Sequence, residues 1–256
     1  MADPIPDAWL PKVRVDRIVL HWTAGHHNPS DGDRAHYHLL YAGDGRRIRG
    51  LFSIAANSVG KLKSGQYAAH TRGCNSYAVG MSVGCMAGAT QEPLNYGPSP
   101  MTREQFDAMC RDAAQICQHY SIPVDPKHVL WHAEVQGTLG IQQAGKWDAT
   151  VLPFYPTLKG AKAVGDYTRG VIQSFKAGKR PVAPTPIVQV SPPPFNLGPL
   201  PSPQAPAGGI VDTPMAETAG PAKEGSGGRV GLWLAGLFAV GVTGGAVWYW
   251  NPLGLW

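Results

Sequence analysis

The sequence predicts an α/β layer fold on three observations. Short β-branched runs alternate with stretches whose apolar residues recur at helical spacing, so strands and helices interleave. Glycine-bearing turns separate those stretches. Beyond about residue 180 the pattern stops, and the chain becomes proline-rich with few charges.

The first strand is read in "VRVDRIVLHWT", where Val13, Val15, Ile18 and Val19 are β-branched and the run ends near His21. "AHYHLLYAGDGRRIRGL" reads as a hairpin turning on Ala42-Gly43-Asp44-Gly45. "YAVGMSVGCMAG" is a glycine-rich strand whose missing side chains leave room for close neighbours. The clearest helix lies in "SPMTREQFDAMCRDAAQICQHYSIP". Thr102 is its N-cap, Gln105 completes a capping box, and Pro123 lies just beyond its end. Phe106, Met109, Ala113, Ile116 and Cys117 make its apolar stripe. "HVLWH" is a short strand or loop ending at His132. A last helix is expected in "PTLKGAKAVGDYTRGVIQSFKAG", with Leu158, Ala161, Val164, Tyr167 and Val171 inward.

Three regions follow: a globular domain over 1–179, a linker over 180–228 and a terminal segment over 229–256. The linker cannot bury enough apolar surface to offset the entropy of ordering, so it is read as a semi-rigid spacer rich in polyproline geometry. The stretch 230–250, "VGLWLAGLFAVGVTGGAVWYW", carries no charge. A membrane helix needs roughly 20 such residues, and Trp248, Tyr249 and Trp250 suit an interface belt. Gly241 and Gly245 form a G-x-x-x-G pair that lets two such helices self-associate. Lys223 and Arg229 flank the front of this segment, which by the positive-inside tendency leaves the domain on the cytoplasmic side.

The net charge is +5, with the basic excess before about residue 180, which fits an anionic polymer or a membrane surface. No basic stripe with interleaved aromatics is present, so nucleic acid is not the expected partner. The start, "MADPIPDAWLPKVRV", has no basic stretch followed by an apolar run and is not read as a secretory signal. Cys74, Cys85, Cys110 and Cys117 form no C-x-x-C pair and are expected as reduced core residues.

Most histidines read as ordinary. His26, His27, His119 and His128 fall in expected loops or at a helix end. His36 and His38 flank Tyr37 in an expected strand, so they face away from it. His21 and His132 differ, because each ends an apolar run, where sites are built on α/β scaffolds. Two such histidines and a carboxylate, with Asp148 available, would make an open tetrahedral zinc site. In "AGKWDATVLP", Lys146 and Asp148 are two residues apart, so extended backbone would send both to one side.

"RIVLHWTAG", "AHYHLLYAGDGRRIRG", "AAHTRGCNSYAVGMSVGCMAG", "MTREQFDAMCRDAAQIC", "VLWHAEV" and "GKWD" occur in this order over about residues 13–155. Together they resemble the zinc-dependent N-acetylmuramoyl-L-alanine amidases of the phage-lysozyme and peptidoglycan-recognition-protein type. The resemblance implies a mixed β-sheet flanked by helices, with Zn2+ in a groove on one face and peptidoglycan as substrate. It maps His21, His132 and Asp148 onto the metal ligands, Lys146 onto the catalytic lysine and Tyr37 onto the assisting tyrosine. His70 and Asn75 fall at the groove. Glu134 is either a support for a zinc histidine or a surface carboxylate.

Two departures stand out. Only "HHNPSDGDRA" is available for the helix that relatives place between the first zinc strand and the tyrosine, so a short or missing helix is expected. The cytosolic recycling branch has a glutamate where this chain has Ser82, which favours a tyrosine–lysine mechanism. The implied activity is cleavage of the amide between the muramoyl group and L-alanine, in an endolysin-like protein. A binding module that does not cut, a virion or envelope structural protein, and a host wall-recycling amidase are the rival readings.

Overall fold

In the computed structural model, which describes residues 3–179, the first strand is β1 (Arg17–Trp22), apolar and buried along nearly its whole length. Four more strands join it: β2 (Leu39–Tyr41), β3 (Arg47–Arg49), β4 (Ala78–Val83) and β5 (Val129–Trp131). They form one five-stranded sheet in the order β3-β2-β4-β1-β5. β1 lies parallel to both β4 and β5, β2 is parallel to β4, and β2 and β3 form an antiparallel hairpin at the edge. The expected hairpin is present. Its turn is closed by the Ala42 amide donating to the Arg46 carbonyl at 3.0 Å, with Gly45 at a φ of 80° that favours glycine.

Alternation along the strands sorts side chains between two faces. Ile18, Leu20 and Trp22 of β1, Val79, Met81 and Val83 of β4, and Val129 and Trp131 of β5 enter the large core. That core is completed by α3 (Arg103–His119) and α5 (Ala161–Lys176), through residues such as Phe106, Met109, Ile116, Val164 and Ile172. The opposite face carries a smaller cluster of Val19, Cys74, Leu130 and Val135. His21 follows Val19 by two residues on that second face. The strand that builds the core thus also aims the first candidate ligand away from it.

α3 begins as expected. Thr102 accepts from the Gln105 amide while the Gln105 side chain accepts from the Thr102 amide, a pairing that contributes about 1 kcal/mol. α5 also forms. Val164 and Val171 are buried, but Ala161 and Tyr167 are only half-buried and Leu158 precedes the helix. Gly165, Ile172 and two polar residues, Thr168 and Arg169, take the remaining inward positions.

Other expectations need correction. His36, Tyr37 and His38 are not in a strand: His36 ends α1 (Asp31–His36), Tyr37 is its extended C-cap, and β2 starts only at Leu39. α1 is the short version of the helix that the motif spacing foresaw, held by a capping box between Ser30 and Asp33. His132 does not end a strand but begins α4 (His132–Leu139). A single-turn helix, α2 (Ile54–Asn57), also went unforeseen. All four cysteines are buried and free.

Among the described residues no helix is long and apolar enough to cross a membrane. The linker expected over 180–228 and the membrane segment expected over 229–256 lie outside the described residues.

Candidate metal centre

His21, His132 and Asp148 come from three places in the chain and meet on the second face of the sheet. His21 is the penultimate residue of β1, paired in register with Ser82 of β4. His132 is the first residue of α4, immediately after β5. Asp148 arrives on the segment after α4, whose backbone is tied back by the Ala133 amide donating to the Asp148 carbonyl at 2.7 Å. All three side chains are buried, and one donor atom from each lies within 4.8 Å of the others. Asp148 Oδ2 is 3.1 Å from His21 Nδ1 and 3.4 Å from His132 Nδ1. Both imidazoles therefore turn the same nitrogen towards the carboxylate.

The chemistry of this donor set fits a zinc ion. Two imidazole nitrogens and one carboxylate oxygen are ordinary zinc ligands, and three protein donors leave a fourth position for substrate or water. Burial pushes His21 down to about 4, against the raising effect of Asp148, so its ring is neutral at physiological pH. Burial works to raise the Asp148 carboxyl, but hydrogen bonds with His132 and His21 outweigh it and hold the group below the ordinary carboxylate range. The centre thus presents a neutral His21 imidazole beside an ionised carboxylate.

The surrounding residues fall into two sets. Tyr37 packs its ring against His21, with centroids 5.1 Å apart. Burial and then the Asp148 charge raise its phenol, which stays protonated. Lys146 is exposed, and it is near enough for its charge to act on His21. It is not the salt partner of Asp148, which pairs with the two histidines instead. Trp147, between them, turns into the protein and packs edge-on against Trp22 at 4.7 Å.

The second set lies behind the histidines. His70 stands 5.4 Å from His21, its ring laid over Gly80, where any side chain would collide with it. That is the close approach expected of the glycine-rich strand. Asn75 is buried, and its Oδ1 accepts from the amides of His70 and Thr71 at 3.0 and 2.8 Å, which shapes the turn. Thr71 Oγ1 then lies 3.2 Å from His21 Nε2 and 2.8 Å from His70 Nδ1. Gln143 reaches His132 Nε2 at 2.8 Å. Sequence reading passed over both Thr71 and Gln143. Thr71 adjoins the singled-out His70, but nothing local marks Gln143. His70 Nε2 and Ser82 Oγ are buried without a protein partner.

Glu134 is neither a direct support of a histidine nor a surface carboxylate. It is buried, accepts the Trp131 amide at 2.9 Å, and pairs with Arg169 of α5 at 2.9 and 3.1 Å. His26, His27, His119 and His128 stand outside the centre. His26, for example, bonds Ser99, and His128 bonds Asp125.

The mixed sheet and the buried His-His-Asp set define an α/β protein whose second sheet face carries a cluster of three groups able to hold a metal ion. This chain belongs to the N-acetylmuramoyl-L-alanine amidase family, whose profile matches residues 11–149 and so spans all three candidate ligands. No curated protein matches it in sequence. Among solved structures it is similar to the N-acetylmuramoyl-L-alanine amidase LysC from Clostridium intestinale URNW, at 18% identity and a TM-score of 0.35, over 56% of this chain and 81% of that one. It is also similar to the Ph2119 endolysin from the Thermus scotoductus MAT2119 bacteriophage, at 18% identity and a TM-score of 0.32, over 50% and 77%. A third is the amidase AmiD from E. coli, at 20% identity and a TM-score of 0.33, over 47% and 49%.

Proposed function

We propose that this chain is a zinc-dependent peptidoglycan hydrolase that cleaves the amide between the N-acetylmuramoyl group and L-alanine. The observation that carries the reading is the convergence of His21, His132 and Asp148 within a family match that spans them. These three residues would hold the ion. When bound there, zinc polarises a carbonyl and lowers the pKa of its water to about 7.

The chain's own groups supply the rest. The Lys146 ammonium, exposed beside the cluster, stabilises negative charge developing on the amide oxygen. One such donor is worth about 3–4 kcal/mol. Tyr37 is held as a protonated phenol, so it acts by donating a hydrogen bond rather than by accepting a proton. His70 and Asn75 support the proposed groove from behind, Asn75 through the turn it ties together. With Ser82 in place of a glutamate, the tyrosine–lysine version is the one these residues support.

The endolysin-like reading extends to the rest of the chain. Residues 180–228 act as a spacer and 229–256 as a membrane anchor, supported by the charge-free stretch over 230–250. The anchor can pair with a second copy through Gly241 and Gly245. Protease accessibility in spheroplasts reports which side of the membrane carries the domain.

The deciding experiment is digestion of purified peptidoglycan by the full chain, with mass analysis of the products. Free L-alanine amino termini, lost with a chelator and restored by zinc, are the expected result. Sedimentation with the wall without released product would overturn the enzyme in favour of a binding module.

A further inference from the structure

The Gln143 side chain has an orientation that its partners dictate. One end lies 2.9 Å from the Arg72 carbonyl and 3.4 Å from the Ile141 carbonyl, both of which can only accept. That end is therefore the NH2 group, and the end facing His132 Nε2 at 2.8 Å is the carboxamide oxygen. An oxygen that can only accept requires a proton on Nε2. In a neutral imidazole the other nitrogen, Nδ1, then carries the lone pair. Nδ1 is the atom that faces Asp148 and the centre.

A competing tautomer exists. Asp148 Oδ2, 3.4 Å from Nδ1, favours a proton on that nitrogen, and a protonated Nδ1 cannot bind a metal. Gln143 opposes this pull from the far side of the ring. We propose that Gln143 is the positioning residue of His132, fixing the proton on Nε2 so that Nδ1 stays free to ligate. This rests on the zinc reading only for its consequence, because the tautomer is a property of the protein without metal.

Gln143 is built into the fold for this task. It is buried between exposed neighbours, and its own amide donates to Gln136 Oε1 on α4 at 3.0 Å. Its anchor, Arg72, follows Thr71, whose hydroxyl lies against His21 Nε2. One short turn, tied together by Asn75, therefore backs both histidines: Thr71 directly, Arg72 through Gln143. Partners behind metal histidines commonly set tautomer and ring angle in this way.

The test uses the full chain and two readouts: zinc affinity by competition with a chromogenic chelator, and 15N–1H imidazole correlation spectra of the zinc-free protein at alkaline pH. The wild type is expected to show His132 with its proton on Nε2. Gln143→Met, similar in size but without an oxygen, should shift that proton towards Nδ1 and weaken zinc binding roughly 10- to 100-fold. Gln143→Glu keeps an acceptor towards His132 and should retain the Nε2 proton, while its second oxygen, set against the Arg72 and Ile141 carbonyls, should cost stability. A folded Met variant with the wild-type tautomer overturns the proposal, whatever its zinc affinity. A wild type that carries the Nε2 proton but binds no zinc refutes the metal reading and leaves the role of Gln143 standing.

Discussion

Arg169 of α5 grips Glu134 of α4 from beneath, with Nη2 at 2.9 Å from Oε1 and Nη1 at 3.1 Å from Oε2. Arg169 Nη1 also donates to the Val129 carbonyl at 3.0 Å, and Glu134 accepts the Trp131 amide. The pair thus clamps the end of β5 to the start of α4, the junction that carries His132. α5 lies beyond the matched family region of residues 11–149, yet it completes the support of a candidate ligand.

Arg169→Met should therefore destabilise the domain by about 3–5 kcal/mol, since it leaves a buried carboxylate unpaired. Urea unfolding of the single variants and of Arg169→Met with Glu134→Gln measures the coupling. Additive effects in that cycle would show that the pair is not the clamp.

Gly165→Ala separates two opposing effects on the same junction. Alanine in a helix interior is ordinarily favoured over glycine by about 1 kcal/mol. Here the added Cβ would overlap the Glu134 carboxylate, and buried overpacking costs about 1–3 kcal/mol. Sterics should win, giving a net loss in the midpoint of thermal unfolding. A gain in stability would mean that Glu134 can move aside freely.

Removal of any one candidate ligand, by His21→Ala, His132→Ala or Asp148→Ala, should abolish zinc binding and amide cleavage together. Lys146→Ala and Tyr37→Phe should keep zinc while slowing cleavage, by roughly 10²–10³ for the lysine. Metal content and turnover measured on the same preparations distinguish the two groups. Loss of zinc from the lysine variant would contradict its assigned role.

The protein should lose stability in mild acid, with His38 one of the causes. His38 Nδ1 accepts the Gly80 amide at 3.0 Å and Nε2 faces Asn57 Oδ1 at 3.1 Å, so the ring is held neutral. Burial pushes it down to about 4, against an ordinary value near 6.5. A depressed folded value means stability present above about 6.5 and lost as pH falls towards 4. The difference amounts to about 3 kcal/mol for this group. His38→Asn should be less stable at neutral pH but show a shallower acid dependence between those values in chemical denaturation. Equal slopes would remove His38 as a contributor.

Much of this architecture was legible along the chain because its signals are local. The Thr102–Gln105 capping box, the stripe from Phe106 to Cys117 and the glycine turn before Arg46 each depend on neighbours a few residues away, and each is found where expected. The His36–His38 stretch misled, because alternating residues mimic a strand while Ser30 and Asp33 nucleate a short helix just upstream. α4 was hidden because its start coincides with the end of β5 and its cap is provided from Glu134, not from a Ser, Thr, Asp or Asn before it.

The sequence by itself determined which residue types are available: two histidines ending apolar runs, and a lysine and an aspartate two apart, in an order that resembles one family. Strand alternation also set which face each residue of β1 takes. Only the tertiary structure decided which nitrogen of each histidine faces Asp148, and that Gln143, Thr71 and Arg169 stand behind the centre. The reason is physical. These contacts join residues brought together from distant parts of the chain by the parallel pairing of β1 with β4 and β5, and no local pattern encodes a hydrogen bond across such a crossover.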